Sequence, residues 1–301
     1  MTAIEKMKEV SAFFESKGID DAAKEAEILI AETLHLNKSK LYTGSTAISG
    51  ETSTQIDFLA ARRAQGEPLQ YIIGHVEFYG LKINVGPGVL IPRPETELLV
   101  EETIKLITPL LHHSITILDL CTGSGCIAIA LAKHFPDAVV YGIDASNIAM
   151  EYAIKNAAEN DIRNVRFIKG DLFRISWDSP ESTTPIGVRN SGTVPMFTVH
   201  CFDCIVSNPP YIRKGDIPNL QREVKDHEPL EALDGGEDGL DFYRKIAENA
   251  PKFLKENGII ILEIGHDQAE DVNEIAVSYG IKNISFIKDY AGIRRIFSGE
   301  I

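Results

Sequence analysis

Ile115-Thr116-Ile117-Leu118-Asp119-Leu120-Cys121-Thr122-Gly123-Ser124-Gly125-Cys126 runs from an apolar strand through a glycine turn into the start of a helix. Residues 115–120 are continuously apolar but for Thr116 and Asp119, the pattern of a strand buried on both faces. Residues 126–135 follow with helical composition. Glycine at 123 and 125 lets the main chain approach a ligand closely. The helix start supplies unpaired N–H groups that favour anions and polar ligands. Asp144 ends the next strand, 19 residues after Gly125, where a carboxylate is suited to accept bonds from two ribose hydroxyls.

The turn by itself admits two cofactors. Gly123-x-Gly125-x-x-Ala128 satisfies the dinucleotide fingerprint, which tolerates alanine at its third position, so a hydride-transferring enzyme stays open. Two features favour S-adenosylmethionine instead. Asp119 supplies the acidic residue usual at the head of methyltransferase nucleotide loops, and Gly170-Asp171-Leu172 closes the third strand, where an adenine amino group could donate to Asp171. The expected cofactor contacts are Asp119, Cys121, Thr122, Gly123, Ser124, Gly125, Asp144, Asp171, Leu172 and Asn208.

Outward from the turn, strands are expected at 139–143, 165–168, 202–207 and 259–264, with a helix at 148–160. Segments 284–287 and 294–297 read as two last strands joined through Tyr290-Ala291-Gly292. Alternating strands and helices imply a parallel sheet covered on both faces. The expected fold is α/β: a Rossmann-like sheet of the class I methyltransferase type, mostly parallel with an antiparallel last strand. Residues 176–200, rich in Ser, Thr, Pro and Gly, read as an insertion, because structureless loops of that length are uncommon in compact domains. Upstream, residues 1–74 carry apolar positions at three-to-four spacing, with Gly18 closing a first helix and Asn37 a second. They are expected to form a helical substrate-recognition domain. Residues 75–91 read as a β-hairpin linker turning at Gly80, and 92–301 as the catalytic domain.

Composition narrows the function class. The chain of 301 residues carries a formal charge of -14, which disfavours a surface built to neutralise phosphates, so direct nucleic-acid binding is not expected. No apolar stretch approaches the ~20 residues that span a bilayer, and the first residues lack a signal-peptide pattern. A cytoplasmic monomer is expected. Cys201 and Cys204 have Cys-x-x-Cys spacing, yet they fall in a β-branched and aromatic run, where buried thiols are expected ahead of a metal or redox pair.

Asn208-Pro209-Pro210-Tyr211 follows the fourth strand, at the carboxyl edge where open α/β sheets bind ligands. An amide or exocyclic amine nitrogen is a poor nucleophile because its lone pair is delocalised. Two acceptors aimed at its two N–H groups would hold it and stabilise positive charge developing during methyl transfer. The Asn208 side-chain oxygen and the Pro209 carbonyl can serve, since neither proline has an N–H and Pro210 restricts Pro209. Tyr211 can lay its ring on a flat substrate group. Asn208, Pro209 and Tyr211 are the expected catalytic residues, with Pro210 joining them in binding substrate.

With these motifs in place the chain resembles the PrmC/HemK family of release-factor glutamine methyltransferases. The likeness includes Pro68-Leu69-Gln70-Tyr71-Ile72-Ile73-Gly74, Leu90-Ile91-Pro92-Arg93-Pro94-Glu95-Thr96-Glu97, the nucleotide loop and the tetrapeptide. Glu228-Pro229 and Ala232-Leu233-Asp234-Gly235-Gly236-Glu237-Asp238-Gly239-Leu240-Asp241-Phe242-Tyr243-Arg244 complete it. The resemblance implies methyl transfer to the glutamine of the Gly-Gly-Gln motif in class 1 peptide chain release factors, in support of translation termination. It implies that Asn208 grips that amide, that the helical domain helps bind the factor, and that Arg93 and Glu95 lie near the site. Cys121 stands where the family commonly has glycine. A ribosomal-protein glutamine methyltransferase, a DNA adenine methyltransferase and a non-catalytic cofactor-binding regulator are the alternatives.

Overall fold

A computed structural model describes residues 1–43, 46–110, 114–175 and 201–301; the insertion expected at 176–200 lies outside them. The chain divides into two compact units, one of Met1–His75 with Gln221–His227, the other of Val76–Leu220 with Glu228–Ile301.

The first unit is helical: α1 (Ala3–Ser16), α2 (Ala22–Thr33), α3 (Lys38–Thr43), α4 (Gly50–Ala64) and α5 (Leu69–Ile73). Thr2 and Glu5 close a capping box on α1, each side chain bonding the other's backbone N–H. Gly18, at a φ of 71°, turns the chain after α1. Asn37 does not end α2. That helix stops at Thr33, His35 enters the left-handed region, and the Asn37 side chain accepts from Lys40 N at 2.8 Å, so it opens α3. Val10, Phe14, Leu29, Ile30, Leu41 and Ile56 form the buried core.

The second unit begins with a two-stranded sheet, β1 (His75–Phe78) and β2 (Leu81–Asn84), that turns at Tyr79 and Gly80. Next come α6 (Pro94–Ile107), β3 (Thr116–Leu120), α7 (Cys126–His134), β4 (Val139–Asp144), α8 (Asn147–Glu159), β5 (Val165–Asp171), β6 (Arg174–Ile175) and β7 (Phe202–Ser207). A short helix, α9 (Arg222–His227), belongs to the first unit. The chain ends with α10 (Asp241–Phe253), β8 (Leu254–Glu263), α11 (Ala269–Ser278), β9 (Lys282–Lys288) and β10 (Arg294–Glu300).

The main sheet has the order β6-β5-β4-β3-β7-β8-β10-β9. β3, β4, β5, β7 and β8 run parallel, and β10 inserts antiparallel between β8 and β9. The expected antiparallel last strand is therefore β10. The two-residue β6 adds a second antiparallel edge, against β5. Helix α7 is buried along Cys126–Ala132, and α10 against β8 and α11 against β9 contribute Tyr243, Ile246, Ala250 and Val272 to the core. The strand order reverses between β3 and β7, so a crevice opens at their carboxyl ends.

Candidate active site

Strand register brings the motif residues to one level. Leu120 lies beside Ile143 on one side and Ser207 on the other, and Ser207 lies beside Leu262. The next residues along the chain are Cys121, Asp144, Asn208 and Glu263, so all four stand at the same edge of the sheet. Asp171 ends β5 two residues beyond Lys169, the partner of Asp144. Over this edge lies a cavity of about 510 Å³, whose walls include Cys121, Thr122, Gly123, Ser124, Asp144, Asp171, Leu172, Asn208 and Pro210.

The turn after β3 is held from below. Asp119 is fully buried; its Oδ2 accepts from Thr122 Oγ1 at 2.6 Å and from Ala128 N at 3.2 Å, while Oδ1 has no partner among the described residues. Burial pushes the Asp119 carboxyl up to about 7 against the pull of those two bonds. Asp119 therefore shapes the loop and does not line the cavity. Gly125 likewise sits behind the wall. Its φ is 80°, and a Cβ there would lie 3.0 Å from both Ala153 Cβ and Phe167 Cζ. Cys121 adopts a φ of 58°, where glycine is at ease and other residues are strained.

Asp144 is aimed by two backbone N–H groups: Gly123 donates to Oδ2 and Ser146 to Oδ1, each at 2.9 Å. Burial still raises its carboxyl above the ordinary value. Behind the loop, Asn156 is fully buried and donates to the carbonyls of Ser124 at 2.9 Å and Asn84 at 3.1 Å. Its Oδ1 accepts from Asn84 N at 2.7 Å and Asn84 Nδ2 at 2.8 Å, stapling the glycine turn to the end of β2.

At the tetrapeptide, Asn208 lines the cavity and its Nδ2 donates to Thr96 Oγ1 at 3.2 Å. Thr96 in turn donates to Glu263 Oε2 at 2.8 Å. Pro209 and Pro210 are buried, and of these two only Pro210 reaches the cavity wall. Tyr211 was expected to lay its ring on substrate; instead it packs against the core, outside the cavity lining, and its hydroxyl donates to Glu263 Oε1 at 3.4 Å. The glycine-rich block 234–239 secures the loop beyond. Gly235 N donates to the Ile212 carbonyl at 2.8 Å, and a Cβ on Gly235 would meet Tyr211 Cα at 2.8 Å.

Arg93 pairs with buried Glu228, which also accepts from Ile91 N at 3.1 Å, so it ties the segment before α6 to residues 228–233. Glu95 is exposed, and Glu97 accepts from Tyr79 N at 2.8 Å, fixing the β1–β2 turn. Sequence reasoning named Arg93 and Glu95 but passed over Thr96, which accepts from Asn208, and Glu263, which accepts from Thr96. It also missed Asn84 and Asn156. Cys204 is buried within β7, where burial raises its thiol, and Cys201 is half-buried. Among the described residues no group of three or more His, Cys, Asp or Glu side chains is placed to hold a metal, and no helix is long and apolar enough to cross a membrane.

Residues 5–74 match the PrmC N-terminal domain, and residues 111–283 match a methyltransferase domain. The chain is 45% identical to the release factor glutamine methyltransferase of Thermodesulfovibrio yellowstonii, over 98% of this chain and 97% of that protein. It is 40% identical to that of Geobacter sulfurreducens, over 96% and 93% respectively. The chain belongs to the release factor glutamine methyltransferase family. It is an enzyme of the class I methyltransferase fold. That fold is shared with the crystal structure of the hMettl16 catalytic domain in complex with MAT2A 3′UTR hairpin 6, at 14% identity and a TM-score of 0.52 over 83% of this chain and 82% of that one. At such identity the likeness concerns the fold alone. In this structure the segments 90–97 and 228–244 are joined through Glu228, and Gly235 of the second bonds the Ile212 carbonyl just beyond the tetrapeptide.

Proposed function

We propose that this enzyme transfers a methyl group from S-adenosylmethionine to the side-chain amide nitrogen of the glutamine in the Gly-Gly-Gln motif of class 1 peptide chain release factors. The observation that carries this reading is the orientation of Asn208. Its amide nitrogen is engaged by Thr96, which leaves its oxygen to accept from a substrate N–H at the cavity wall. The family's curated members carry the name release factor glutamine methyltransferase, which supplies the substrate.

The cavity suits the cofactor. Its volume of about 510 Å³ falls within the ~300–1,000 Å³ of sites for small organic ligands. Asp144 is positioned to accept from the ribose hydroxyls and Asp171 from the adenine amino group, with Leu172 beside it. Cys121, Thr122, Gly123 and Ser124 offer main chain along the nucleotide, while Asp119 and Gly125 hold that loop in shape. When bound, S-adenosylmethionine supplies an electrophilic methyl group. Asn208 Oδ1 on the cavity wall and the main-chain carbonyl of Pro209, a residue buried next to that wall, accept the two N–H groups of the substrate amide, fix its plane and stabilise positive charge as the nitrogen gains carbon. The nitrogen then releases one proton to water, so no dedicated base is required. The helical unit contributes to binding the release factor.

Incubation with labelled S-adenosylmethionine and purified release factor should label the factor, and changing its Gly-Gly-Gln glutamine to alanine should abolish the label. Label on both forms contradicts the site assignment. Label on neither, with label on a ribosomal protein or on DNA, contradicts the substrate.

A further inference from the structure

We infer that Thr96 and Glu263 are positioning residues that decide which end of the Asn208 amide faces the substrate, acting as a polar relay from Glu263 through Thr96. The inference rests on the reading of Asn208 given above. An asparagine amide is nearly symmetric in shape, so a half-turn about its last torsion exchanges oxygen and nitrogen at little steric cost. Only hydrogen-bond polarity separates the two states. In one, the oxygen meets the substrate N–H. In the other, an N–H meets an N–H, and the site repels its substrate.

The polarity is set two residues away. Glu263 is the last residue of β8 and Thr96 lies in the first turn of α6; each is 2% exposed. An ionised carboxylate only accepts. Thr96 has one hydroxyl proton, and at 2.8 Å it goes to Glu263 Oε2. The Thr96 oxygen is then left with lone pairs alone, and the group that approaches it at 3.2 Å must be a donor, the Asn208 amide nitrogen. Asn208 Oδ1 is thereby directed away from Thr96. Tyr211 donates to the other carboxylate oxygen at 3.4 Å, so the tetrapeptide is tied to Glu263 directly at Tyr211 and through Thr96 at Asn208. Thr96 also borders the cavity, which makes contact with cofactor the competing explanation of any defect.

The relay needs Glu263 ionised. The titratable and charged groups around it are Glu95 on α6, Cys126 on α7, Tyr211 beyond β7, Tyr243 on α10, which donates to the Glu263 backbone carbonyl at 3.0 Å, and Arg295 on β10. Burial raises its carboxyl to about 7, with Thr96, Tyr211 and Arg295 pulling down and Glu95 pushing up. A protonated Glu263 could donate to Thr96 and reverse the relay, so turnover should rise as pH passes upward through about 7.

The test compares Thr96→Val, which keeps shape and loses the hydroxyl, with Thr96→Ser, which keeps the hydroxyl. Turnover of release factor should fall about 10- to 100-fold in Thr96→Val, with binding of S-adenosylhomocysteine by calorimetry changed less than about threefold and Thr96→Ser close to the parent. In an Asn208→Ala background, adding Thr96→Val should cost nothing more, because the two act on one interaction. Glu263→Gln should flatten the limb of the pH profile near 7. Unchanged turnover in Thr96→Val beside an inactive Asn208→Ala would overturn the relay and leave the reading of Asn208 standing. Full activity in Asn208→Ala would instead overturn that reading. A loss of S-adenosylhomocysteine affinity matching the loss of turnover, a Thr96→Val defect undiminished in the Asn208→Ala background, or a pH limb that persists in Glu263→Gln would each show that Thr96 and Glu263 act otherwise.

Discussion

At the scale of single residues, two buried carboxylates, Asp119 and Glu263, support the site from behind. Asp119 is the extreme case, fully buried with one oxygen unpaired among the described residues. Its folded-state value of about 7 lies above the ordinary carboxylate value of 3.8. The folded state therefore binds the proton more tightly than the unfolded chain. The stability linked to this proton is fully present below about pH 4 and is lost as pH rises through about 7. Asp119→Asn keeps an oxygen for Thr122 and Ala128 and removes the charge. In the cofactor-free protein it should gain about 2–4 kcal/mol relative to the parent between pH 5 and pH 8. Denaturant unfolding at the two pH values measures this; an equal difference at both would mean that Asp119 is not the group responsible.

Among elements, parallel strands were legible because burial on both faces leaves continuous apolar runs. β3, β4 and β7 are each bounded in sequence by the residues that turn at the sheet edge. Polar couplings between elements left no local trace. Thr96 and Glu263 stand 167 positions apart, and Asn84 and Asn156 stand 72 apart, so neither pair forms a motif that periodicity or spacing could reveal. The glycine turn shows how the two levels combine: Gly123 and Gly125 announce it, while buried Asn156 holds it against β2. Asn156→Ala would leave the Asn84 N–H groups and the Ser124 carbonyl without this partner. It should lower stability by about 2–4 kcal/mol and weaken S-adenosylhomocysteine binding along with it. Urea unfolding and calorimetry report both quantities, and a change under about 0.5 kcal/mol, the scale of ordinary surface substitutions, would remove Asn156 from the account.

For the whole molecule, two units emerge, and the chain crosses between them more than once. Gln221–His227 belongs with the helical unit although it lies far along the chain. There Arg63 reaches Glu25 Oε2 at 2.6 Å and Glu223 Oε2 at 2.8 Å, a buried guanidinium shared between two carboxylates. Nothing in the composition of 221–227 marks that return, because the pairing is made by side chains 160 positions apart in sequence. The tetrapeptide was legible for the opposite reason: Asn208 to Tyr211 are contiguous and follow a strong strand. Asn208 and Pro210 line the cavity, Pro209 is buried beside them, and the Tyr211 hydroxyl donates to Glu263. Whether Asn208 presents an acceptor to a glutamine amide is decided by peptide mapping of release factor after reaction with the parent enzyme and with Asn208→Ala. One methyl on the Gly-Gly-Gln glutamine side chain with the parent, and almost none with a variant that still binds S-adenosylhomocysteine, is the predicted result. A methyl on any other residue, or unchanged methylation by Asn208→Ala, would contradict it.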